Sequence, residues 1–547
     1  MQQTLPKNKM KTDVLVIGAG AAGMTAALEA KSRGLDVTII SKSKVGRSGN
    51  TIISGTGMAI LDQGTDSRDS PQAFKQDTLR SGKEINDHTL VDLYLKRSPG
   101  LIDRLIDYGV ALRKMNDCWL KKQAPGHSVA RSFSADFSNY PYMTRGLSLT
   151  LPLLKSAEQS GIRIIDFAPV VKLLISDGCI AGAVAVSKKT NAILIIRTPV
   201  VILASGGCGG IYARSNNTGD ITGDSYSLAY NAGALLRDLE FVQFYPSMMF
   251  SPLKVTISSP LFGEGAILRN AHDERFMHKY DQAGEMATRD IMSRAIFNEV
   301  KEGRGQQGCI FMDCRRLPEQ ILTEKYAEIL RLLAKAKLDP LKDLIPISPA
   351  VHFSMGGVAI NSSTETSVPG LLACGEAVGG LHGANRLAGN ALPETFVFGM
   401  IAGQHAADTF KRGAYPETTA FDVQPFGPGN LSLVELRREL RKTTWNYLSI
   451  IKTRESGQKA LQAIDRIALS LEDVSLETIY DLVSFYELKS MTTTARLIVQ
   501  GSLARKESRG SHFRSDYPET DDENFKGSFF YKNKKGRLKL EFRSTPA

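Results

Sequence analysis

Residues Thr12 to Gly34 read TDVLVIGAGAAGMTAALEAKSRG, and no other stretch constrains the fold as strongly. Asp13 to Ile17 is a β-branched apolar run without polar alternation, the pattern of a parallel strand buried on both faces. Gly18, Gly20 and Gly23 follow as G-x-G-x-x-G. The first glycine permits a tight turn, the second lets backbone approach a pyrophosphate, and the third lets a helix from Ala21 to Ser32 pack closely on the strand. The start of that helix, at Ala21 and Ala22, offers unpaired N–H groups and a positive dipole end to phosphates. Asp36 to Ile40 supplies a second strand. Strand, turn, helix and strand in this order predict a dinucleotide site, which the glycines alone would not.

A chain of 547 residues is too long for one core and suggests two to four domains. The net charge of +11 is spread along the chain without a nucleic-acid motif, so no nucleic acid is expected as partner. The densest basic patch, KNKKGRLKLEFR near the end, reads as a solvated end or a docking surface for an acidic partner. No apolar run is long enough to span a bilayer, and MQQTLPKNKM lacks the apolar core of a signal peptide. A cytoplasmic location is expected, with membrane association only through a partner. The six cysteines contain no C-x-x-C pair, so reduced, mostly buried thiols are expected and no metal, iron–sulfur or covalent haem site. Electrons leaving a bound cofactor must then pass to something outside the chain.

Residues 70 to 112 carry leucines among charges at helical spacing. From Ile162 to Gly207 short strands alternate with turns, an antiparallel meander that returns to the main sheet at Val200 to Ala204. Thr222-Gly223-Asp224 opens a helix, with Asp224 as a cap or a ribityl or phosphate contact. Between about Glu240 and Ile345 the dinucleotide pattern lapses, and it resumes at VPGLLACGE, a buried strand ending in Gly375 and Glu376. Leu433 to Leu503 reads as helical, and the last part as polar and irregular.

Together VLVIGAGAAG, VILASGG, TGD, ERFM, ATRD, VHFSMGG, VPGLLACGEA, HGANRLAGN and ARKESRGSHFRSDYPETDDENF resemble the flavoprotein subunits of succinate dehydrogenase and fumarate reductase, whose relatives include L-aspartate oxidase. The matches keep their order from Asp13 to Phe525. The resemblance implies an α/β fold: a Rossmann-like FAD-binding domain (1–239 and 349–412) interrupted by an α+β capping domain (240–348), then a helical domain (413–510) and a C-terminal tail (511–547). It places Gly18, Gly20, Ala21, Ala22, Gly23, Ser41, Lys42, Ser48, Thr51, Gly55, Asp224, Glu376, Asn390 and Leu392 on FAD-contacting motifs. It also implies a small carboxylate substrate and, as candidate partner, an iron–sulfur electron-transfer subunit.

A carboxylate needs cations in a dry pocket, and the planar fork of arginine suits it. By resemblance His352 and Arg386 bind the carboxylate and Arg289 exchanges a proton with the carbon beside the one that exchanges hydride with flavin N5; Arg294, five residues on, reads as a helix-surface or structural arginine. Three departures from the family pattern bear on the reaction. The loop RSGNTIISG has no histidine for covalent attachment, so FAD is expected to be non-covalent, which favours reductase or oxidase work over succinate oxidation. Tyr245 stands where dicarboxylate enzymes carry a histidine, and a phenol brings no positive charge near neutral pH. Ser258, Ser259 and Phe262 replace the Thr-Glu and Arg that feed protons to the catalytic arginine, although Glu264 remains. The expected reaction is hydride transfer between flavin N5 and the Cα–Cβ bond of a carboxylate substrate other than plain succinate or fumarate. Two alternatives are an aspartate oxidase-like amino-acid oxidase, against which Gln123-Ala124-Pro125 stand before Gly126-His127-Ser128 where that enzyme has its amine-binding Glu, and a flavin electron-transfer subunit of an iron–sulfur complex.

Overall fold

The computed structural model describes residues 5–61, 68–115, 118–257, 260–409, 415 and 423–545. At its centre is a parallel sheet ordered Leu371–Ala373, Val200–Leu203, Val14–Ile17, Val37–Ile40, Arg163–Ile165. Val14, Leu15, Val16, Val201 and Ile202 have no exposed surface, as unalternating β-branched runs require when both faces are covered. The helix Ala21–Ser32 covers one face and packs against the helix Ala391–Thr409. A Cβ at Gly399 would stand 2.7 Å from the Ala22 carbonyl oxygen, and one at Gly403 only 2.3 Å from that of Ala26, so the two axes approach through glycine.

The expected meander is present as Val170–Ser176, Cys179–Ser187 and Ala192–Arg197. Its outer edge is taken by Lys7–Lys11, paired parallel to Ala192–Arg197. That strand is mostly exposed and lysine-rich, so its sequence carries no strand pattern. Helices Pro71–Ser81, His88–Arg97 and Leu101–Asp107 fill the region read as helical.

A further sheet, ordered Val255–Thr256, Val242–Met249, Ile345–Ser354, Ile310–Asp313, Ile267–Arg269, takes four strands from the segment where the dinucleotide pattern lapses and its central strand, Ile345–Ser354, from across that segment's end. Its strand Ile345–Ser354 runs straight on toward Gly357–Val358, so this sheet is continuous in chain with the cofactor-side core. Helix Arg289–Lys301 packs on Val242–Met249.

Helices Leu433–Leu448, Arg454–Ser470 and Ile479–Ala504 form the C-terminal bundle. Thr453 and Thr478 each close a capping box, satisfying N–H groups that the helix leaves unpaired. The tail differs from its reading as irregular. Gly527–Lys534 and Arg537–Ser544 form a hairpin whose turn residues, Lys535 and Gly536, both have positive φ (51° and 82°). Leu538, Leu540 and Phe542 pack against the core while Arg537, Lys539 and Glu541 project outward, an alternation masked by the density of charge.

Of the stretch ARKESRGSHFRSDYPETDDENF, the first part to Arg514 is largely interior, while most of Ser515 to Asn524 is exposed. Arg505 and Glu507 have no exposed surface; Arg505 Nε lies 2.8 Å from Glu240 and its Nη1 2.9 Å from Glu507. Tyr531 of the hairpin donates to the other Glu240 oxygen at 2.6 Å. A buried charge is tolerated only when paired and hydrogen-bonded, and this network fastens bundle, hairpin and the entrance to Val242–Met249 together. Of the cysteines, Cys208, Cys314 and Cys374 are buried, but Cys118 and Cys179 are exposed, so the expectation of mostly buried thiols holds for only half of them. All six are free.

Candidate functional site

Strand Val14–Ile17 ends in Gly18, whose φ of 112° and whose approach to Ala204 leave no room for a side chain. The helix that follows begins with Ala21 and Ala22, which line a cavity of about 750 Å3. All the residues expected to contact FAD line this cavity except Gly23 and Asn390. Gly23 does what a third glycine of the motif does: a Cβ there would meet the Gly18 carbonyl oxygen at 2.0 Å. Asn390 is fully buried and points its amide at Thr78 Oγ1, 3.3 Å away.

Several cofactor-side residues are already engaged within the chain. Thr51 Oγ1 accepts from the Ala21 N–H at 3.1 Å, and the Ser48 hydroxyl donates to the Lys44 carbonyl. A Cβ at Gly55 would touch Arg145 Nη2 at 3.4 Å. Lys42 Nζ lies 2.7 Å from Asp224 and 3.4 Å from Glu487 of the bundle. Burial opposes the charge of Lys42, but Asp224 and Glu487 hold its pKa above the ordinary value. Asp224 occupies the first turn of helix Asp224–Asn231 and accepts from Thr222 Oγ1; it is not the helix cap, a place taken by Gly223.

Glu376, just past strand Leu371–Ala373, accepts from Asn50 Nδ2 at 3.0 Å and from the Ser354 N–H at 3.2 Å. Burial pushes its carboxyl up to about 7, against the pull of these donors and of Arg386. A raised carboxyl pKa favours the protonated form in the folded state, so the associated stability is complete below 4.5 and is lost as pH rises through 7. Glu376→Gln should therefore stabilise the cofactor-free protein increasingly between pH 5 and 8, by at most ~3 kcal/mol. Denaturant melts of both proteins across that range check this; a pH-independent difference would refute it.

The other end of the cavity gathers the substrate-side residues from four elements. His352 lies on Ile345–Ser354, Tyr245 on Val242–Met249, Arg289 at the start of Arg289–Lys301, and Arg386 before Ala391–Thr409. The Tyr245 and His352 rings are 5.6 Å apart, and the Arg289 guanidinium stands 5.1 Å over the Tyr245 ring. Arg386 stacks on Phe353 at 4.7 Å and donates to Gln243 Oε1 at 2.9 Å, while its buried Nε has no partner among the described residues. Burial, with Arg289 beside it, brings Arg386 down to about 10, still charged at neutral pH. Burial, then Arg386 and Arg289, hold His352 well below the usual imidazole range, so it is neutral. Its Nδ1 faces the Asn216 side-chain amide at 3.1 Å. The Tyr245 hydroxyl donates to the Ile257 carbonyl at 3.1 Å, so the phenol offers its ring face to the cavity.

Arg294 pairs with Asp290 and stacks on Phe513, the structural role read for it. Phe262 belongs to the apolar core beneath the Val242–Met249 sheet, and Glu264 pairs with Lys325 at 2.9 Å. Ser258 and Ser259 lie outside the described residues. The Gln123 amide donates to the His127 carbonyl at 2.8 Å. Asn50, Arg145, Asn216 and Lys254 also line the cavity, and the sequence gives no sign that they would. Asn50 lies within the loop RSGNTIISG, but the others sit on stretches without a motif, brought in by tertiary packing.

The residues present fit a flavin dinucleotide: a glycine turn that a Cβ would fill, a helix start at that turn, and the Glu376 carboxyl just past strand Leu371–Ala373, all on one cavity. The FAD binding domain family model matches residues 13–392, and the fumarate reductase flavoprotein C-terminal model matches residues 437–546. The chain is 35% identical over 526 residues to one component of the fumarate reductase (CoM/CoB) of Methanothermobacter marburgensis, covering 93% of this chain and 95% of that protein. It is 33% identical to the L-aspartate oxidase of a Nostoc species, covering 92% and 91%. Among solved structures, E. coli quinol fumarate reductase FrdA superposes with a TM-score of 0.88 at 27% identity, covering 98% of this chain and 97% of that one. Fold, cavity and these likenesses converge, and the chain belongs to the fumarate reductase/succinate dehydrogenase flavoprotein family of FAD-dependent oxidoreductases.

Proposed function

We propose that the protein transfers hydride between flavin N5 and the Cα–Cβ bond of an unsaturated or saturated carboxylate that is not plain fumarate or succinate. One observation carries this reading: neither Arg289 nor Arg386 forms a salt bridge among the described residues, Glu376 and Glu394 acting on Arg386 only as nearby charges, and both guanidiniums line the same cavity as the glycine turn. Two guanidiniums in a low-dielectric site form an anion cradle, and the buried Arg386 Nε is a donor with no acceptor among the described residues. FAD, when bound, supplies the hydride donor or acceptor.

The chain's own residues supply the rest. Arg386, fixed by Gln243 and Phe353, binds and orients the carboxylate; neutral His352, oriented by Asn216, adds a hydrogen bond. Arg289 holds the proton exchanged with the neighbouring carbon. Because Arg289 stands on the inserted segment 240–348 and Arg386 on the cofactor side, closure of that segment as a cap would bring the cradle together and exclude water. The loop facing the cavity presents Asn50 rather than a histidine, which supports non-covalent FAD. Electrons would be exchanged with an external partner such as an iron–sulfur protein. No helix among the described residues is long and apolar enough to cross a membrane.

The test is to reduce the FAD-loaded protein anaerobically and follow flavin reoxidation with a panel of unsaturated mono- and dicarboxylates. Reoxidation by at least one of them, faster than by fumarate, is the expected result. Rapid reoxidation by air with hydrogen peroxide release, and none by any unsaturated acid, would replace this reading with an oxidase.

A further inference from the structure

The residue that usually supplies a second positive contact is replaced here by Tyr245, and its hydroxyl is spent on the Ile257 carbonyl. The wall continuing from it along the cavity is Met248 and Thr256, and the Thr256 hydroxyl is turned onto Met248 Sδ at 3.3 Å. This wall is aromatic and thioether in character, and gives an anion nothing to bind. Beyond it, in the turn joining Val242–Met249 to Val255–Thr256, Lys254 lines the same cavity at its exposed rim. No carboxylate among the described residues pairs with it; partial burial and the nearby Arg441 both push its pKa down, a repulsion that a bound anion would relieve.

We propose that Lys254 is the second anion anchor of the site, and that the substrate is a dicarboxylate longer than the four-carbon acids. The spacing follows from strand geometry. Arg289 sits over Tyr245, and the chain advances about 3.3 Å per residue from Tyr245 past Met249 to the turn, so Lys254 meets an anion more than ~5 Å from the first carboxylate even with its side chain folded back. The apolar wall between the two anchors suits a hydrocarbon spacer. This inference rests on the reading that Arg289 and Arg386 hold the first carboxylate.

Binding to the FAD-loaded protein, followed by perturbation of the flavin absorption band, tests it without turnover. The probes are malonate, succinate, glutarate, adipate and suberate, each beside its monomethyl ester. The longer diacids should bind about fivefold more tightly than their esters, and the advantage should shrink with added salt. Lys254→Met should abolish the difference by weakening the diacids, leaving the esters as they were, and Lys254→Arg should restore it. If Lys254→Met weakens acid and ester alike, or if diacids never outbind their esters in the unaltered protein, the proposal fails. Absence of turnover with a persisting, Lys254-dependent diacid advantage would sink the hydride-transfer reading and leave Lys254 in place.

Discussion

Arg289→Met should lower turnover by ~10³-fold while the protein still folds and retains its flavin. Arg289 touches the site through its guanidinium over the Tyr245 ring, and no part of the core depends on it: it begins a helix whose buried side is Met292, Ala295 and Ile296. Methionine keeps much of the length and apolar stem of the side chain but removes both the charge and the exchangeable proton. Loss of charge weakens the carboxylate cradle, which raises KM; loss of the proton lowers kcat at saturation. The kcat effect should therefore dominate, and Arg289→Lys should recover only part of it, since a point charge cannot reproduce the planar fork. Steady-state kinetics with the best substrate of the screen, normalised to flavin content, decide the matter. Unchanged kcat in Arg289→Met would remove Arg289 from the chemistry.

The second large effect is structural. Gly18→Ala should destabilise the protein by on the order of 3 kcal/mol and leave it largely without flavin. The added Cβ would stand 2.3 Å from the Ala204 carbonyl oxygen and 2.7 Å from the Ser205 nitrogen, both backbone, at a φ of 112° that side chains avoid. Nothing flexible can move aside, so strand Val14–Ile17 must separate from Val200–Leu203 at the point where the phosphates would lie. Gly34→Ala is the control: its φ is also positive, at 82°, but a Cβ there meets nothing within 4 Å. That substitution should cost about 1 kcal/mol and spare flavin binding. Thermal melts and the flavin-to-protein absorbance ratio of the two variants separate backbone strain from collision. Equal behaviour would mean that the turn tolerates displacement.

The dinucleotide turn was legible because its requirements are local. Close backbone approach needs glycine at fixed spacing, and a strand buried on both faces must be an unbroken apolar run, so Val14 to Gly23 announce themselves. The C-terminal helices were legible for a similar reason, through their apolar spacing. The tail hairpin was not, because its apolar stripe of Leu538, Leu540 and Phe542 is interleaved with charges, and its first strand, Gly527–Lys534, is held by a distant partner, Leu236–Arg237. Lys7–Lys11 was likewise invisible, since it gains its order from the edge of a strand far along the chain, Ala192–Arg197.

In the site, sequence by itself determined which residue types were available: glycines for the phosphates, Glu376 at a strand end, and Arg289, His352 and Arg386 in recognisable motifs. Only the tertiary structure decided their state. It turned the Tyr245 hydroxyl onto a carbonyl, left Arg386 Nε without a partner among the described residues, lowered the His352 pKa by setting the ring beside two guanidiniums, and placed Lys254 on the same cavity. Hydrogen-bond commitment and charge in a low-dielectric pocket depend on neighbours that arrive from four separate elements, and no local pattern in the chain encodes who those neighbours will be.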